Sequence, residues 1–393
     1  MQKEQHNPPL YRINLLIFFG FPLAALVLVP WWGLTHGFSG SQWAWAGIFL
    51  YLNGLAITGG YHRLWAHRAY RAHPWLRAWF AAWGAGALQN SILVWASDHR
   101  RHHRHVDDNN RDPYSAGRGV WFSHMGWMLR DYPTNREDFS NAQDLLRDPI
   151  VMWQHRHYVS LTTAMNIGPP LLLGLALGDV IGTLLLVGLL RLVVNHHVTF
   201  LINSLAHVWG TRPYTENNSA RNNPILAFLT YGEGYHNYHH VFQNDYRNGI
   251  RWYHWDPTKW MIRLCAGLGL ARDLVHIPDF RIQRAILDNQ FARARRSLSE
   301  ATCQSEHPLK EKLEREYQLF TDSVNRWKAL QSARYDHRIS AIEDALDERR
   351  AALQQRWEQA ALRTQFRELE FSLKMQQKRL ALLIRQMSYP QLA

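Results

Sequence analysis

WAWAGIFLYLNGLAITGGYHRLWAH, residues 43–67, meets no charged side chain before Arg63 and carries histidines at 62 and 67. At 1.5 Å per residue in a helix, its apolar part, 43–61, spans most of a hydrocarbon core about 30 Å thick. It is therefore read as a membrane span that runs straight into a polar, histidine-bearing segment. Working outward, residues 13–34 (INLLIFFGFPLAALVLVPWWGL) are uncharged and make another span, and 158–177 and 179–206 make two more. The run at 13–34 is too long for a cleavable signal peptide and is followed by no small-residue cleavage site. The connections 35–42 and 178–180 hold no Lys or Arg, whereas Lys3, Arg12, the region between the second and third spans and the chain after 207 are basic. The positive-inside rule then places both termini and every histidine motif on the cytoplasmic side. The fold expected is an all-α integral membrane domain over 1–280: four transmembrane helices in two hairpins under a cytosolic helical cap. The apolar stretch 79–96, which contains Gln89 and Asn90, is expected in the membrane interface.

From Arg281 to Met387 the character changes to charged, helix-favouring sequence. Ile339, Leu346, Leu353 and Ala360 recur every seven residues, and Phe366, Leu369, Leu373, Leu380, Leu383 and Met387 continue the stripe. Residues 281–393 are read as a cytosolic tail of amphipathic, coiled helices that pack or self-associate, punctuated by Pro278 and Pro308.

A net charge of +12 and a mean hydropathy of −0.34 describe a basic soluble protein only if the regions are averaged. Apolar runs crowd into the first 210 residues, and the charge sits between and after them, so nucleic-acid binding is set aside. The 18 Trp fit a chain with membrane interfaces, and the 22 His point to metal. Cys265 and Cys303 form no CxxC pair, which removes thiolate zinc, iron–sulfur and disulfide scaffolds. A metal here is held by nitrogen.

The chemistry-bearing motifs are HRLWAH at His62–His67, HRRHH at His99–His103, HNYHH at His236–His240, and His207 in NSLAH. Residues four apart share a helix face, so His99 with His103, His236 with His240 and Asn203 with His207 can each serve one site. Adjacent histidines such as His102 and His103 diverge by about 100°, so each HxxHH feeds two sites. His62 and His67, five apart, diverge on a regular α-helix, which sets one of them beyond the helix end. Nine imidazoles suffice for two ions with four or five nitrogen ligands each. Ligand type alone leaves Fe, Zn, Cu and Ni open. A structural zinc site needs about four ligands, and a carboxylate-rich di-iron bundle needs paired Glu-x-x-His motifs, of which only Glu233–His236 is present. The scattered histidines, His6, His36, His73, His105, His155, His157, His254, His276, His307 and His337, are read as ordinary surface or core residues. His124, His196 and His197 stay open.

The segments TGGYHRLWAHRAY, WASDHRRHHRHVDD, NSLAHVWGTRPY and GEGYHNYHHVFQNDYR strongly resemble those of the membrane acyl-CoA delta-9 desaturases, the stearoyl-CoA desaturase family, in order, spacing and flanking residues. The resemblance covers about residues 10–275 and stops at the tail; no cytochrome b5 domain is visible in the chain. It implies that His62, His67, His99, His103 and His239 bind one Fe2+, and His102, His207, His236 and His240 the other, with Asn203 acting through water. It implies O2 as co-substrate and a cis double bond as product. Gln89, Trp95 and Thr199 match the family's grip on the bent acyl chain. Asn14, Asp98 and Arg130 match its polar contacts to the CoA headgroup. At the closed end of the tunnel, Leu50 and Gly54 stand where relatives often carry Tyr and Ala, implying equal or greater room. Ser97 and Asp131 replace two basic headgroup contacts, which weakens the hold on CoA phosphates unless Arg100, Arg101 or Arg104 substitutes. Acyl carrier protein or an intact lipid thus remains an alternative carrier.

No flavin, haem or iron–sulfur motif is present, so electrons are expected from an external donor of ferredoxin, rubredoxin or cytochrome type with its reductase. A basic cytosolic face suits such an acidic partner. Two rivals remain: a histidine-ligated membrane hydroxylase, and a metal-binding or transport protein, whose ligands should sit within the spans near the midplane. Without an obvious targeting signal, and with a long extra tail, the chain is read as belonging to a bacterial inner membrane.

Overall fold

The computed structural model describes residues 8–301, 308–343 and 351–388. Lys3, His6, Cys303, His307 and Leu346 lie outside them. The chain divides into two compact units, one of Met1–Arg212 with Asn217–His276, the other of Pro213–Glu216 with Ile277–Ala393.

Helices dominate the first unit. Among the described residues three are long and apolar enough to cross a membrane: α1 (Arg12–Thr35), α6 (Tyr158–Leu177) and α7 (Val180–Val208). Their large apolar side chains, among them Ile13, Leu23, Leu26, Leu172 and Ile181, face outward, as suits a surface solvated by lipid. The remaining helices of this unit are α2 (Gly40–Leu55), α3 (Pro74–Ala85), α4 (Ile92–His105), α5 (Pro149–Arg156), α8 (Pro224–Leu229), α9 (His236–Val241) and α10 (Pro257–Gly267), with shorter turns between. The protein is an integral membrane protein.

The stretch expected as the second span, 43–61, divides instead. It is α-helical over Gly40–Leu55, started by a capping box of Ser39 and Gln42. It then winds as a π-helix over Ala56–Ala66, every residue of which is buried in protein. The two uncharged connections are tied together: Asp179 caps α7 by accepting from Gly182 N at 2.8 Å, and also accepts from Gln42 Nε2 at 2.9 Å and Trp32 Nε1 at 3.3 Å.

The stretch 79–96, expected in the membrane interface, is packed inside the protein. Phe80, Ala81, Ala85, Ala87, Ile92 and Leu93 are buried. Helix α3 ends among the apolar helices, the chain turns at Gly86–Ser91 with Leu88 and Asn90 at positive φ, and α4 begins. A helix end leaves carbonyls without intrahelical partners, and such backbone survives among apolar helices only where protein groups satisfy it. Here those groups are polar side chains set within apolar helices. Asn53 donates to Trp83 O, Thr162 to Ala85 O, Arg191 to Gly86 O, and His196 to Ala87 O. His196, left open by its sequence, is therefore a structural cap.

The segment after the π-helix returns through β1 (Arg71–Ala72), which pairs antiparallel with β2 (Ala271–Arg272). Beside it Arg63 is fully buried and bonded to Glu233 at 2.9 Å, Asp256 at 3.0 Å and Tyr246 O at 2.8 Å. This ion pair network joins the first histidine motif to the third.

In the second unit, α11 (Asp279–Ala301), α12 (Pro308–Glu343) and α13 (Ala351–Ser388) pack on one another. Pro308 opens α12, where its missing N–H costs nothing. Leu313, Phe320 and Trp327 of α12, Leu287, Phe291 and Ala294 of α11, and Leu373 and Leu380 of α13 form its core, at largely heptad spacing.

Candidate metal centre

The five-residue spacing of His62 and His67 is resolved by the winding of the segment that carries them. In a π-helix the bond runs from i to i+5, and His67 N bonds to His62 O at 3.0 Å. His67 caps that segment, and the two rings sit 4.7 Å apart at their centroids instead of diverging. Helix α4 presents His99 and His103 on one face and His102 on another. Short helix α9 does the same with His239 on one side and His236 and His240 on the other. In α7 the backbone breaks at Ser204 (ψ −76°), and His207 follows in the last turn.

The structure gathers these side chains into two groups. His62, His67, His99, His103 and His239 form one; His102, His207, His236 and His240 form the other; within each, the ligand atoms lie within 4.8 Å of one another. Their Nε2 atoms face inward at 2.8 Å for His67 and His99, 3.0 Å for His62 and His239 and for His239 and His103, 3.1 Å for His207 and His236, and 3.3 Å for His102 and His240. Adjacent nitrogens bound to one ion at about 2.1 Å lie roughly 3 Å apart, so the donor set fits a metal.

The outer nitrogens fix the tautomers. His62 Nδ1 meets Glu233 at 3.0 Å and His102 Nδ1 meets Asp112 at 2.9 Å. A carboxylate accepts only, so Nδ1 carries the proton and the Nε2 lone pair points inward. His99 Nδ1 has Tyr114 Oη at 3.0 Å. His207 Nδ1 has Ser219 Oγ at 2.7 Å, whose hydroxyl in turn bonds Asp107. Burial, reinforced by the neighbouring imidazoles, holds His67, His99, His103, His236, His239 and His240 well below the usual histidine range, hence neutral. Glu233 is held at about 2: burial raises it, but His62 and Arg63 outweigh that. Inward lone pairs on neutral rings repel one another, and a cation relieves this.

A cavity of about 1110 Å³ opens beside the first group, with His62 and His99 in its wall. Its lining passes from Arg12, Asn14, Asp98 and Arg136 to Gln89, Trp95 and Thr199, and Asn203 reaches it too. Gln89 Nε2 donates to Thr199 Oγ1 at 2.9 Å, and Trp95 stacks on His99 at 4.9 Å. Asn14 also donates to Met128 O at 2.7 Å. Burial raises Asp98 to about 7 against the pull of Arg101.

Other expected contacts lie elsewhere. Arg130 does not line the cavity; its guanidinium donates to Pro8 O at 2.8 Å. Leu50 and Gly54 do not line it either. The room expected at Gly54 is taken by the Tyr231 ring, which a Cβ on Gly54 would overlap. Arg100 and Arg101, named as substitutes for the missing basic contacts, are engaged within the protein: Arg100 bonds Asp144 and the carbonyls of Trp65 and Ala66, and Arg101 bonds Thr134 O. Arg104 is exposed and outside the cavity lining. Sequence reasoning missed Asp107, Asp112, Tyr114 and Ser219 as orienting groups. The acidic run after HRRHHRH was their only local signal. His124 and His197 bond each other at 3.1 Å, apart from both groups.

Residues 41–273 match the family model described as fatty acid desaturase. The chain is 44% identical over 279 residues to a probable acyl-CoA desaturase of Schizosaccharomyces pombe, covering 71% of this chain and 57% of that one. It is 44% identical over 246 residues to acyl-CoA desaturase 1 of Saccharomyces cerevisiae, covering 62% and 48%. It therefore spans about half the length of these two relatives. It is 36% identical over 286 residues to an sn-2 palmitoyl-lipid 9-desaturase of Nostoc, covering 70% and 94%.

Proposed function

The chain belongs to the fatty acid desaturase family, and from that premise we propose that it inserts a cis double bond, at the delta-9 position, into a saturated long-chain acyl-CoA. The observation that carries this reading is a cavity of about 1110 Å³ walled by two histidines of a five-imidazole group. The balance is one methylene pair, O2, two electrons and two protons giving an alkene and two waters. The electrons come from an external ferredoxin, rubredoxin or cytochrome-type donor. Four spans, α1, α2 with its π extension, α6 and α7, in two hairpins under a cap are the arrangement we infer, with termini and site cytoplasmic.

Two irons, bound by the five-histidine and four-histidine groups with Asn203 through water, would supply oxygen activation and hydrogen removal that no side chain offers. The residues themselves do the positioning. Glu233 and Asp112 hold His62 and His102 in the ligating tautomer, and Tyr114 and Ser219 orient His99 and His207. The Gln89–Thr199 bond and the Trp95 ring form a constriction beside His99, and a flexible chain held there presents one pair of carbons. Asn14 and Asp98 at the polar end fix the headgroup, so distance from the thioester selects the carbon. Arg12 and Arg136 are the cations available there for phosphate.

The test is purified, iron-loaded protein supplied with stearoyl-CoA, reductant and O2, with products located by mass spectrometry. A delta-9 alkene is expected; a hydroxylated chain without alkene overturns the choice in favour of a hydroxylase. A second reading, an acyl-lipid substrate, is favoured by Ser97, whose hydroxyl turns inward to Asp138 O, and by the engaged Arg100 and Arg101. Desaturation of phosphatidyl-bound chains but not acyl-CoA selects it.

A further inference from the structure

Tyr231 is a buried aromatic residue at φ +58°, a conformation that bulky side chains rarely adopt. Such backbone persists where surrounding contacts impose it. Here Thr258 Oγ1 donates to Tyr231 O at 2.8 Å and also meets Thr58 Oγ1 at 2.6 Å. The phenol bonds Leu50 O and Asn195 Oδ1, each at 3.3 Å, and the ring lies against Gly54 where any side chain would overlap it.

The position of this ring relative to the cavity is what matters. The cavity wall includes Thr58 of the π-helix and Thr199 of α7. Gly54 and Asn195 stand one turn further along the same two helices, outside the lining, and the Tyr231 ring touches both. The space between these helices is thus open up to Thr58 and Thr199 and filled beyond them.

We propose that Tyr231 is the stop at the inner end of the acyl cavity, setting how much chain beyond the Gln89–Thr199 constriction the protein admits. The length limit is then built from a loop side chain, and Gly54 makes room for the ring. This rests on reading the cavity as the acyl site. Removing the ring opens the cavity toward Gly54 and lengthens the accepted chain.

The test is equilibrium competition of saturated acyl-CoAs, from myristoyl- to arachidoyl-CoA, against labelled palmitoyl-CoA on the full-length protein in lipid nanodiscs. Each methylene that enters an apolar cavity strengthens binding about fourfold, so affinity rises with length until the stop is met and then levels. Y231V and Y231G should carry the rise on for about two more carbons, while Y231F should keep the wild-type limit. Glycine suits φ +58°, so Y231G separates loss of the ring from loss of folding. A plateau at the same length in Y231G and wild type overturns the stop alone. A wild-type protein with no dependence on chain length removes the acyl reading, and the stop with it.

Discussion

Asp112 has no exposure and its carboxylate accepts the hydrogen bond of His102 Nδ1–H. D112A should leave His102 free to turn, and loss of such an orienting partner lowers metal affinity about 10–100-fold. Iron titration followed by elemental analysis checks this; a wild-type binding curve would show that packing alone holds the ring. Arg63 is a different kind of residue. It compensates the buried carboxylates of Glu233 and Asp256, and R63A would strand both. Breaking a buried pair from one side costs about 3–5 kcal/mol, so the unfolding temperature should drop by many degrees. A variant that melts with the wild type would mean that water reaches those carboxylates.

Among the elements, the ending of α3 within apolar surroundings is the most demanding. Its last carbonyls are satisfied by Asn53, Thr162, Arg191 and His196, drawn from α2, α6 and α7. Helix α3 therefore works as a pin between the apolar helices, and the turn after it delivers Gln89 to the cavity. R191M should leave Gly86 O unpartnered at a cost of about 1–3 kcal/mol. It should also raise amide hydrogen exchange across residues 83–95. Unchanged exchange there would show that the pin does not need its guanidinium. The π-helical winding of Ala56–Ala66 is the second demanding element, since it turns a five-residue spacing into a shared face.

For the whole molecule, binding of two ions to nine imidazoles from four separate segments must couple to folding. An ion present at a thousand times its dissociation constant adds about 4 kcal/mol per site, so chelation should lower the melting temperature measurably. Equal melting with and without chelator would mean that the scaffold holds the imidazoles by itself. The tail has its own apolar core, built from Leu287, Phe320, Trp327 and Leu373. Truncation after about residue 280 should accordingly retain iron and some desaturation. Full loss of activity with intact iron would assign the tail a part in donor recruitment or site shape.

Of the four spans read from the primary structure, three are apolar helices of membrane length among the described residues; the helical tail and the histidines of the two clusters were legible too, because apolar runs and i to i+4 spacing are local properties. Local pattern also grouped His99 with His103 and His236 with His240. It could not reveal the orienting groups, since Glu233 meets His62 across 171 positions of chain and Ser219 meets Asp107 only through folding. Nor could it show what 79–96 packs against, since the side chains that cap α3 come from distant helices. The neighbourhood of Gly54 escaped local pattern for the same reason. A glycine at 54 means space when read alone, and only the tertiary structure brings the Tyr231 ring to fill it.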